Sequence, residues 1–416
     1  MAQLISTDEK VEKFILVAVQ TDENPEAELS LKELGALAET AGALVLGRII
    51  QNRQDSDPKT YIGKGKIEEV KALILSAGAD GIICDDELSP GQCRNLEDAL
   101  GAKVLDRTLL ILDIFALHAT TSEGRLQVLM AQLKDRQTRL SGQGTALSRL
   151  GGGIGTRGPG ESKLESDRRV LKNRISMLRS ELDDIAVTRE TERKKRQGAN
   201  IPVVAIVGYT NAGKSTLLNY LTGAGVLAED KLFATLDATT RKLTLNDGGK
   251  ILLTDTVGFI SKLPHHLVDA FRSTLEEARY ADIILHIVDA SNDDAALQMK
   301  VVYDTLEKLG IGNRPVICAM NKLDLCAPGT VIKDLKADRT VRISAKTGAG
   351  VDDLLKAVSD TVKGLKKLLT VTLSYNNAGG LSQIHQFGHI IREEYREDGI
   401  YIQAMVPEAV AKKYQQ

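Results

Sequence analysis

Apolar runs of four to seven residues recur along this chain, separated by stretches whose apolar positions fall at helical spacing. In the first 120 residues the runs are Phe14-Ile-Leu-Val-Ala-Val19, Ala43-Leu-Val-Leu46, Gly81-Ile-Ile-Cys84 and Lys103-Val-Leu-Asp106. Runs this short, bounded by polar turns, predict buried strands. Ser30–Thr40 and Lys64–Ala77 between them carry a helical pattern. The alternation predicts a small amino-terminal α/β domain with a parallel sheet over residues 1–120.

The period then changes. Arg125 to Leu140 reads as a helix with Leu126, Leu129, Leu133 and Leu140 on one side. A longer helix, from Ser162 to near Lys195, places Leu164, Leu171, Ile175, Leu178, Leu182 and Ile185 at a mean spacing close to 3.5. That seam predicts an antiparallel helical hairpin over 121–198. Its connector, 141–160, holds eight glycines, Arg149, Arg157 and no acid, so it cannot build a core. From Lys134 to Arg196 there are sixteen Lys and Arg against nine Asp and Glu. A glycine-rich cationic tip suits contact with folded RNA, with Arg149, Arg157 and Lys163 as candidates; a plain flexible loop on a solvated coiled coil is the competing reading. Arg193-Lys-Lys-Arg196 reads as linker charge.

Residues 201–365 return to alternating strand and helix, the pattern of a mostly parallel sheet flanked by helices. Residues 366–416 read as a small α+β carboxy-terminal domain: strand Leu369–Tyr375, a break at Asn376–Gly380, a helix, then strands around the turn Glu397-Asp-Gly399.

Composition narrows the classes. A net charge of −2 over 416 residues offers no global basicity for nucleic acid, so any such surface is local, and DNA is not an expected partner. Cys84, Cys93, Cys318 and Cys326 are too scattered for a disulfide framework or a zinc motif. No apolar stretch approaches a membrane span, and the first residues, charged at Asp8, Glu9 and Lys10, lack the apolar region of a signal peptide. A cytoplasmic protein, acting as a monomer, is expected.

The chemistry lies in the third region. Gly208-Tyr209-Thr210-Asn211-Ala212-Gly213-Lys214-Ser215 fits G-x-x-x-x-G-K-[ST] after the apolar run Ile201–Val207 and before a helix. Backbone N–H groups of such a loop wrap phosphates, Lys214 neutralises the β- and γ-oxygens, and the Ser215 hydroxyl ligates Mg²⁺. Asp255-Thr256-Val257-Gly258 follows the run Ile251–Thr254; Asp255 is placed to hold Mg²⁺ through water and the Gly258 N–H to sense the γ-phosphate. Asn321-Lys322-Leu323-Asp324 ends the run Pro315–Met320. A carboxylate at Asp324 accepts from N1–H and the exocyclic amine of guanine, and adenine would leave that acid, taken as buried, unsatisfied. Lys322 can lie over the base, Asn321 can tie the segment to the phosphate loop, and Ser344-Ala345-Lys346 can bring a backbone N–H to guanine O6. Four such segments in order, each closing a strand, identify a GTP/GDP site.

Two weaker signals remain. Tyr61-Ile-Gly-Lys-Gly-Lys66 could touch a phosphate backbone or form a tight turn into a helix, and His385 and His389 stand four apart without a third ligand, which favours packing or surface roles. The switch threonine that must ligate Mg²⁺ and meet the γ-phosphate is Thr235, Thr239 or Thr240 on residue type and position alone.

Together with the phosphate loop, the stretches Phe233-Ala234-Thr235-Leu236-Asp237, Asp255 to Ile260 with Leu263-Pro-His265, Tyr61 to Lys66, and Arg157-Gly-Pro-Gly-Glu161 with Leu164-Glu165 and Asp167-Arg-Arg169 resemble the HflX family of GTPases. The resemblance covers nearly the whole chain, least clearly 366–416. Ser162-Lys163 and Ala238 depart from the family's usual residues. It implies a G domain at 201–365, nucleotide contacts by Phe233 to Asp237, and Thr235 as the switch threonine, acting with Lys214 and Gly258 in catalysis. It further implies binding to the large ribosomal subunit and its rRNA, separation of stalled or idle ribosomes, and a glycine-rich loop reaching toward the peptidyl-transferase region.

Phe259 stands where many regulatory GTPases carry a glutamine that orients the attacking water, and a phenyl ring cannot do this. No arginine finger is assignable in cis; Arg241 and Arg272 read as structural. Hydrolysis is therefore expected to be slow alone and stimulated by the ribosome. The rival reading is a large-subunit assembly checkpoint that binds rRNA without splitting ribosomes. An RNA-modifying enzyme lacks a Cys/His/acid constellation.

Overall fold

The computed structural model describes residues 11–22, 25–141, 159–198, 201–223, 232–233, 239–264, 267, 277–312, 314–327, 332–375 and 378–414. The chain divides into two compact units: Met1–Ala186 with Glu229–Asp237 and Val257–Thr274, and Val187–Ala228 with Ala238–Thr256 and Leu275–Gln416.

The first unit is built on β1 (Lys13–Gln20), β2 (Leu44–Asn52), β3 (Gly81–Cys84) and β4 (Lys103–Asp106), ordered β2-β1-β3-β4 and parallel throughout. Six consecutive residues of β1 are buried, which explains its unbroken apolar run: a central parallel strand is covered on both faces. Helices α1 (Ala27–Thr40), α2 (Lys64–Ala77) and α3 (Pro90–Leu100) make the crossovers. Ile67, Val70 and Ile74 of α2 fall on one face at helical spacing and pack with Ile15, Val17 and Ile82 of the sheet. A capping box of Ser89 and Gln92 starts α3. At Gly81 a Cβ would lie 2.1 Å from the Lys103 carbonyl oxygen, so β3 meets β4 too closely for any side chain there.

Helix α4 (Arg107–His118) is capped by Asp106, whose carboxylate accepts from the Leu109 N–H at 2.9 Å; α5 (Ser122–Ser141) follows it, and α6 (Pro159–Gly198) is the long helix. On α6 the expected seam is what leaves solvent: Leu178 is buried and Leu171, Ile175, Leu182 and Ile185 are half-buried, while Val170, Met177 and Val187 are exposed. On α5 the stripe is shifted. Leu129 is exposed, and Gly124, Gln127, Val128 and Ala131 are buried. Arg168 of α6 donates to the Leu140 carbonyl at 3.2 Å, linking the two helices next to their connector.

The larger sheet of the second unit has six described strands: β5 (Val203–Gly208), β6 (Thr239–Thr244), β7 (Lys250–Asp255), β8 (Ile283–Asp289), β9 (Val316–Asn321) and β10 (Arg339–Arg342). Their order is β10-β9-β8-β5-β7-β6, parallel except for β6, which pairs antiparallel with β7. Helices α7 (Lys214–Thr222), α8 (Ala295–Lys308) and α9 (Val351–Gly364) pack on the sheet, and Leu217, Leu218, Leu354 and Val358 share a core with Val204, Ile206, Leu285 and Ile317. Beyond it lie β11 (Lys366–Leu373), α10 (Ala378–Phe387), β12 (His389–Arg396), β13 (Gly399–Pro407) and α11 (Glu408–Tyr414), with an antiparallel sheet ordered β11-β13-β12. This is the α+β pattern expected at the carboxy end. His385 ends on α10 paired with Glu393 at 3.0 Å, whereas His389 opens β12, so the two do not share a helix face.

Candidate functional site: a guanine-nucleotide pocket

In the second unit, Gly208, Asp255, Asp289 and Asn321 close the four adjacent strands β5, β7, β8 and β9. Ligands of open parallel sheets bind beyond such carboxyl ends. The phosphate loop leaves β5 and enters α7 at Gly213, whose φ is +95° and whose Cβ, if it had one, would lie 2.3 Å from Asn321 Nδ2. Only glycine meets both demands. Asn321 occupies that space for a reason: its Nδ2 donates to the Ala212 carbonyl at 2.8 Å and its Oδ1 accepts from the Ala345 N–H at 2.9 Å. One buried amide thus fastens the phosphate loop and the Ser344-Ala345-Lys346 segment to the end of β9, as the sequence predicts for the first of these ties.

Lys214 is buried, and its Nζ donates to the carbonyls of Gly208 at 3.2 Å and Tyr209 at 2.7 Å. Burial brings its pKa down to about 8, with the Asp255 carboxylate opposing the shift. Ser215 Oγ donates to Asp255 Oδ2 at 3.1 Å, and Asp255 is fully buried. A hydroxyl and a buried carboxylate at that separation are hard oxygen donors of the kind a small divalent cation takes. Thr256 turns its hydroxyl away, to the Ile206 carbonyl at 2.8 Å, and so locks β7 to β5. The Thr210 hydroxyl in the loop is buried and has no hydrogen-bond partner among the described residues.

At the base end, Asp324 Oδ1 accepts from Ser344 Oγ at 2.6 Å. That bond holds its carboxyl below the usual carboxylate range, so the group is an ionised acceptor. Asp324 is exposed, not buried as the sequence argument assumed; its penalty against adenine arises only where a base covers it. Leu323 N–H donates to the Ile343 carbonyl at 3.2 Å, which sets the segment against β10. Lys322 has a φ of +64° and pairs with Asp289 at 2.8 Å. Asp289 is a site residue that motif reading missed. Its other oxygen accepts from Ser291 N–H at 3.0 Å and Ser291 Oγ at 2.6 Å, so it presents a fixed anchor to the lysine. The available signal was an acid ending an apolar run, Ile283–Asp289.

Thr239 and Thr240 lie on β6, paired with Asp255 and Thr254, and the Thr240 hydroxyl bonds Thr254 Oγ1 at 3.0 Å. Ala234, Thr235, Leu236 and Asp237 lie outside the described residues, as do Arg149 and Arg157; Lys163 is on α6.

Phe233, Val257 and Gly258 belong to the first unit. There Phe233 packs edge-on against Phe115, centroids 4.7 Å apart, and the Leu232 N–H reaches Thr40 Oγ1 at 3.3 Å. Phe259 is buried. Ser261 donates to Glu33 Oε1 at 2.8 Å and its carbonyl accepts from Arg107 at 3.1 Å; Lys262 pairs with Asp85 and with Asp86 at 2.8 Å. Arg107 itself binds Asp85 at 3.0 Å and Glu33, and Asp85 Oδ2 accepts from Ser30 at 2.7 Å. Burial pushes the Asp85 carboxyl up, against the pull of Lys262. Tyr61, at φ +62°, is buried; its hydroxyl accepts from Val19 N–H at 3.1 Å and donates to Asp86 at 2.6 Å, while Gly63 opens α2. The Tyr61–Lys66 stretch is therefore a tight turn into a helix.

A mostly parallel sheet with this phosphate loop, and with Asn321 and Asp324 arranged beyond its edge, defines a P-loop GTPase. Residues 28–116 match the family model described as GTP-binding GTPase N-terminal, 118–196 that of the GTP-binding GTPase Middle Region, and 203–322 that of the 50S ribosome-binding GTPase. The chain is 56% identical to the GTPase HflX of Lacrimispora saccharolytica over 98% of this chain and 96% of that one, and 41% identical to the GTPase HflX of Escherichia coli strain K12 over 95% and 94%. It belongs to the HflX family of GTPases. Among solved structures, a GTP-binding protein from the archaeon Sulfolobus solfataricus in complex with GDP is 26% identical, covering 85% of this chain and 99% of that one, with a TM-score of 0.44. No described helix is long and apolar enough to cross a membrane.

Proposed function

We propose that this chain is a GTP-driven switch that binds the large ribosomal subunit through rRNA and separates stalled or idle ribosomes into subunits in the cytoplasm. The observation that carries the reading is the nucleotide site itself, joined in one chain to a helical pair, α5 and α6, whose 141–160 connector is glycine-rich and cationic. The match of 203–322 to a 50S ribosome-binding GTPase model supports the choice of partner. The organisation that goes with it is an amino-terminal α/β domain at 1–120, a hairpin at 121–198, a G domain at 201–365 and a carboxy-terminal domain at 366–416.

Asp324 would read guanine, Lys322 would cover the base with its ammonium held by Asp289, and Ala345 N–H would approach O6. Mg²⁺ would be held by Ser215 Oγ, by Thr235 and, through water, by Asp255; when bound it neutralises charge on the β- and γ-phosphates. Lys214 would exchange its two loop carbonyls for phosphate oxygens. Thr235 and Gly258 N–H would sense the γ-phosphate and so distinguish GTP from GDP. Phe259 supplies no hydrogen bond to water, so the turnover of the free protein is slow and a ribosomal contact speeds it. Intact ribosomes incubated with the protein and GTP, then resolved on a sucrose gradient, should redistribute into subunits. Protein that travels with the large subunit while the intact peak stays unchanged would instead support an assembly checkpoint.

A further inference from the structure

Away from the nucleotide, His286 of β8 and Cys318 of β9 are register partners on neighbouring parallel strands, so their side chains rise together from one face of the sheet. Asp334 reaches them from the segment ahead of β10, and Tyr303 from α8. His286 and Cys318 are buried, and the Asp334 side chain is 3% exposed. One donor atom from each of His286, Cys318 and Asp334 lies within 4.8 Å of the others. Asp334 is fixed in place: Oδ2 accepts from the Tyr303 hydroxyl at 2.6 Å, and Oδ1 from the N–H groups of Lys336 at 3.0 Å and Ala337 at 3.2 Å.

The exception is His286. Its Nδ1 is buried, has no hydrogen-bond partner among the described residues and stands 3.7 Å from Asp334 Oδ2. Hydrogen bonds close at about 2.7–3.2 Å. Two ligands sharing a tetrahedral zinc, each about 2.0–2.3 Å from it, stand roughly 3.3–3.6 Å apart. The gap is too wide for the first and close to the second. An orphaned buried imidazole nitrogen costs free energy that a bound cation would recover.

We propose that His286 Nδ1, Cys318 Sγ and Asp334 Oδ2 form a structural zinc site, with one water as fourth donor and the Tyr303 hydroxyl orienting the carboxylate from outside. Imidazole and thiolate are the donors that select zinc over the hard cation suited to Ser215 and Asp255. A cavity of about 800 Å³ lies next to the cluster and shares Tyr303 with it; its Ile284 and Val316 are the register pair two residues before His286 and Cys318 on the same sheet face. Burial keeps the Cys318 thiol protonated without metal, so uptake of the ion releases that proton to solvent and leaves thiolate and carboxylate to balance the 2+ charge. The ion would tie the segment before β10 to β8 and β9. Sequence alone points away from it, since these ligands stand 32 and 16 residues apart and fit no zinc motif.

The test uses the full chain, stripped of metal and then saturated with GDP and excess Mg²⁺ so that the nucleotide site is filled. Cobalt titration should show one equivalent bound with thiolate-to-cobalt charge-transfer absorption, and zinc should displace it. Cys318→Ser should abolish that absorption, and His286→Ala should weaken cobalt binding at least tenfold, with fluorescent GDP binding reporting that each variant is folded. Wild-type protein that binds GDP yet takes up neither cobalt nor zinc would overturn the proposal and leave a purely hydrogen-bonded cluster. An absorption that survives Cys318→Ser would equally overturn it, by assigning the thiolate to another cysteine.

Discussion

A parallel sheet in the first unit and a mostly parallel one in the second treat the same position differently. Beyond the carboxyl ends of β3 and β4, the first unit fills its edge with its own charges: Asp85 and Asp86 follow β3, Arg107 follows β4, and Glu33 of α1 completes a buried ionic cluster. Beyond β5, β7, β8 and β9, the second unit places instead a glycine-containing loop, a buried lysine resting on loop carbonyls and an exposed, ionised Asp324. A parallel sheet supplies the location of a site; whether its polar groups are spent on one another decides whether a ligand can use it. The first edge is closed by salt bridges, and the second keeps acceptors and donors for a nucleotide.

That contrast breaks most visibly at Arg107. Removing one member of a buried ionic cluster leaves the others uncompensated, so Arg107→Ala should cost the first unit about 3–5 kcal/mol. Urea unfolding should register the loss, while GDP affinity at 25 °C, which depends on none of these residues, stays within about twofold. An unchanged unfolding midpoint would mean that the cluster is solvated and the comparison empty.

At the other edge, Asp324→Asn replaces an acceptor by a donor where guanine is proposed to bind. Two charge-assisted hydrogen bonds are at stake, so GTP and GDP should weaken by about 3 kcal/mol, roughly 10²-fold, and xanthine nucleotides should gain. Equal GTP affinity in the variant would remove Asp324 from the base site.

Thr235→Ala should slow ribosome-stimulated hydrolysis by about tenfold or more. GDP affinity should be kept, because in the proposed switch this threonine would meet only the γ-phosphate. Normal turnover would return the role to Thr239 or Thr240.

The smallest effect concerns pH. Lys214 is free of nucleotide at a pKa of about 8, and phosphates would hold it protonated when bound. Binding above that pH must therefore take up a proton, so GDP affinity should be flat below about pH 8 and fall by up to about tenfold per unit above it. A flat profile to pH 9.5 would show that the lysine is charged throughout.

Much of this was legible in the chain. Strands β3 and β4 and helix α2 stand where short apolar runs and helical spacing put them, because each is a local pattern with a clear boundary. The seam of α6 was legible for the same reason from Leu171 on: Leu171, Ile175, Leu178, Leu182 and Ile185 are the shielded apolar positions among the described side chains of that helix, and Leu164 lies outside them. What was not legible depends on partners far away in sequence. Arg107 meets Glu33, Lys322 meets Asp289, and His286 meets Asp334, none signalled by spacing. Leu129 misleads because Gly124, Gln127, Val128 and Ala131, at helical spacing, form the buried face of α5 instead. The exposure of Asp324 could not be read from residue type either, since the loop after β9 carries it outward beside Ser344.

The central claim is that a GTP-loaded protein parts the ribosomal subunits through the 141–160 connector. Light scattering of intact ribosomes measures this most directly. Wild-type protein with GTP should lower the scattering to the level of separated subunits. Deletion of Gly151–Gly160, or Arg149→Glu with Arg157→Glu, should abolish the fall without changing nucleotide affinity, and should reduce the salt dependence of large-subunit binding by about one unit per lost phosphate contact. A connector-deleted protein that lowers the scattering at the wild-type rate would contradict the account.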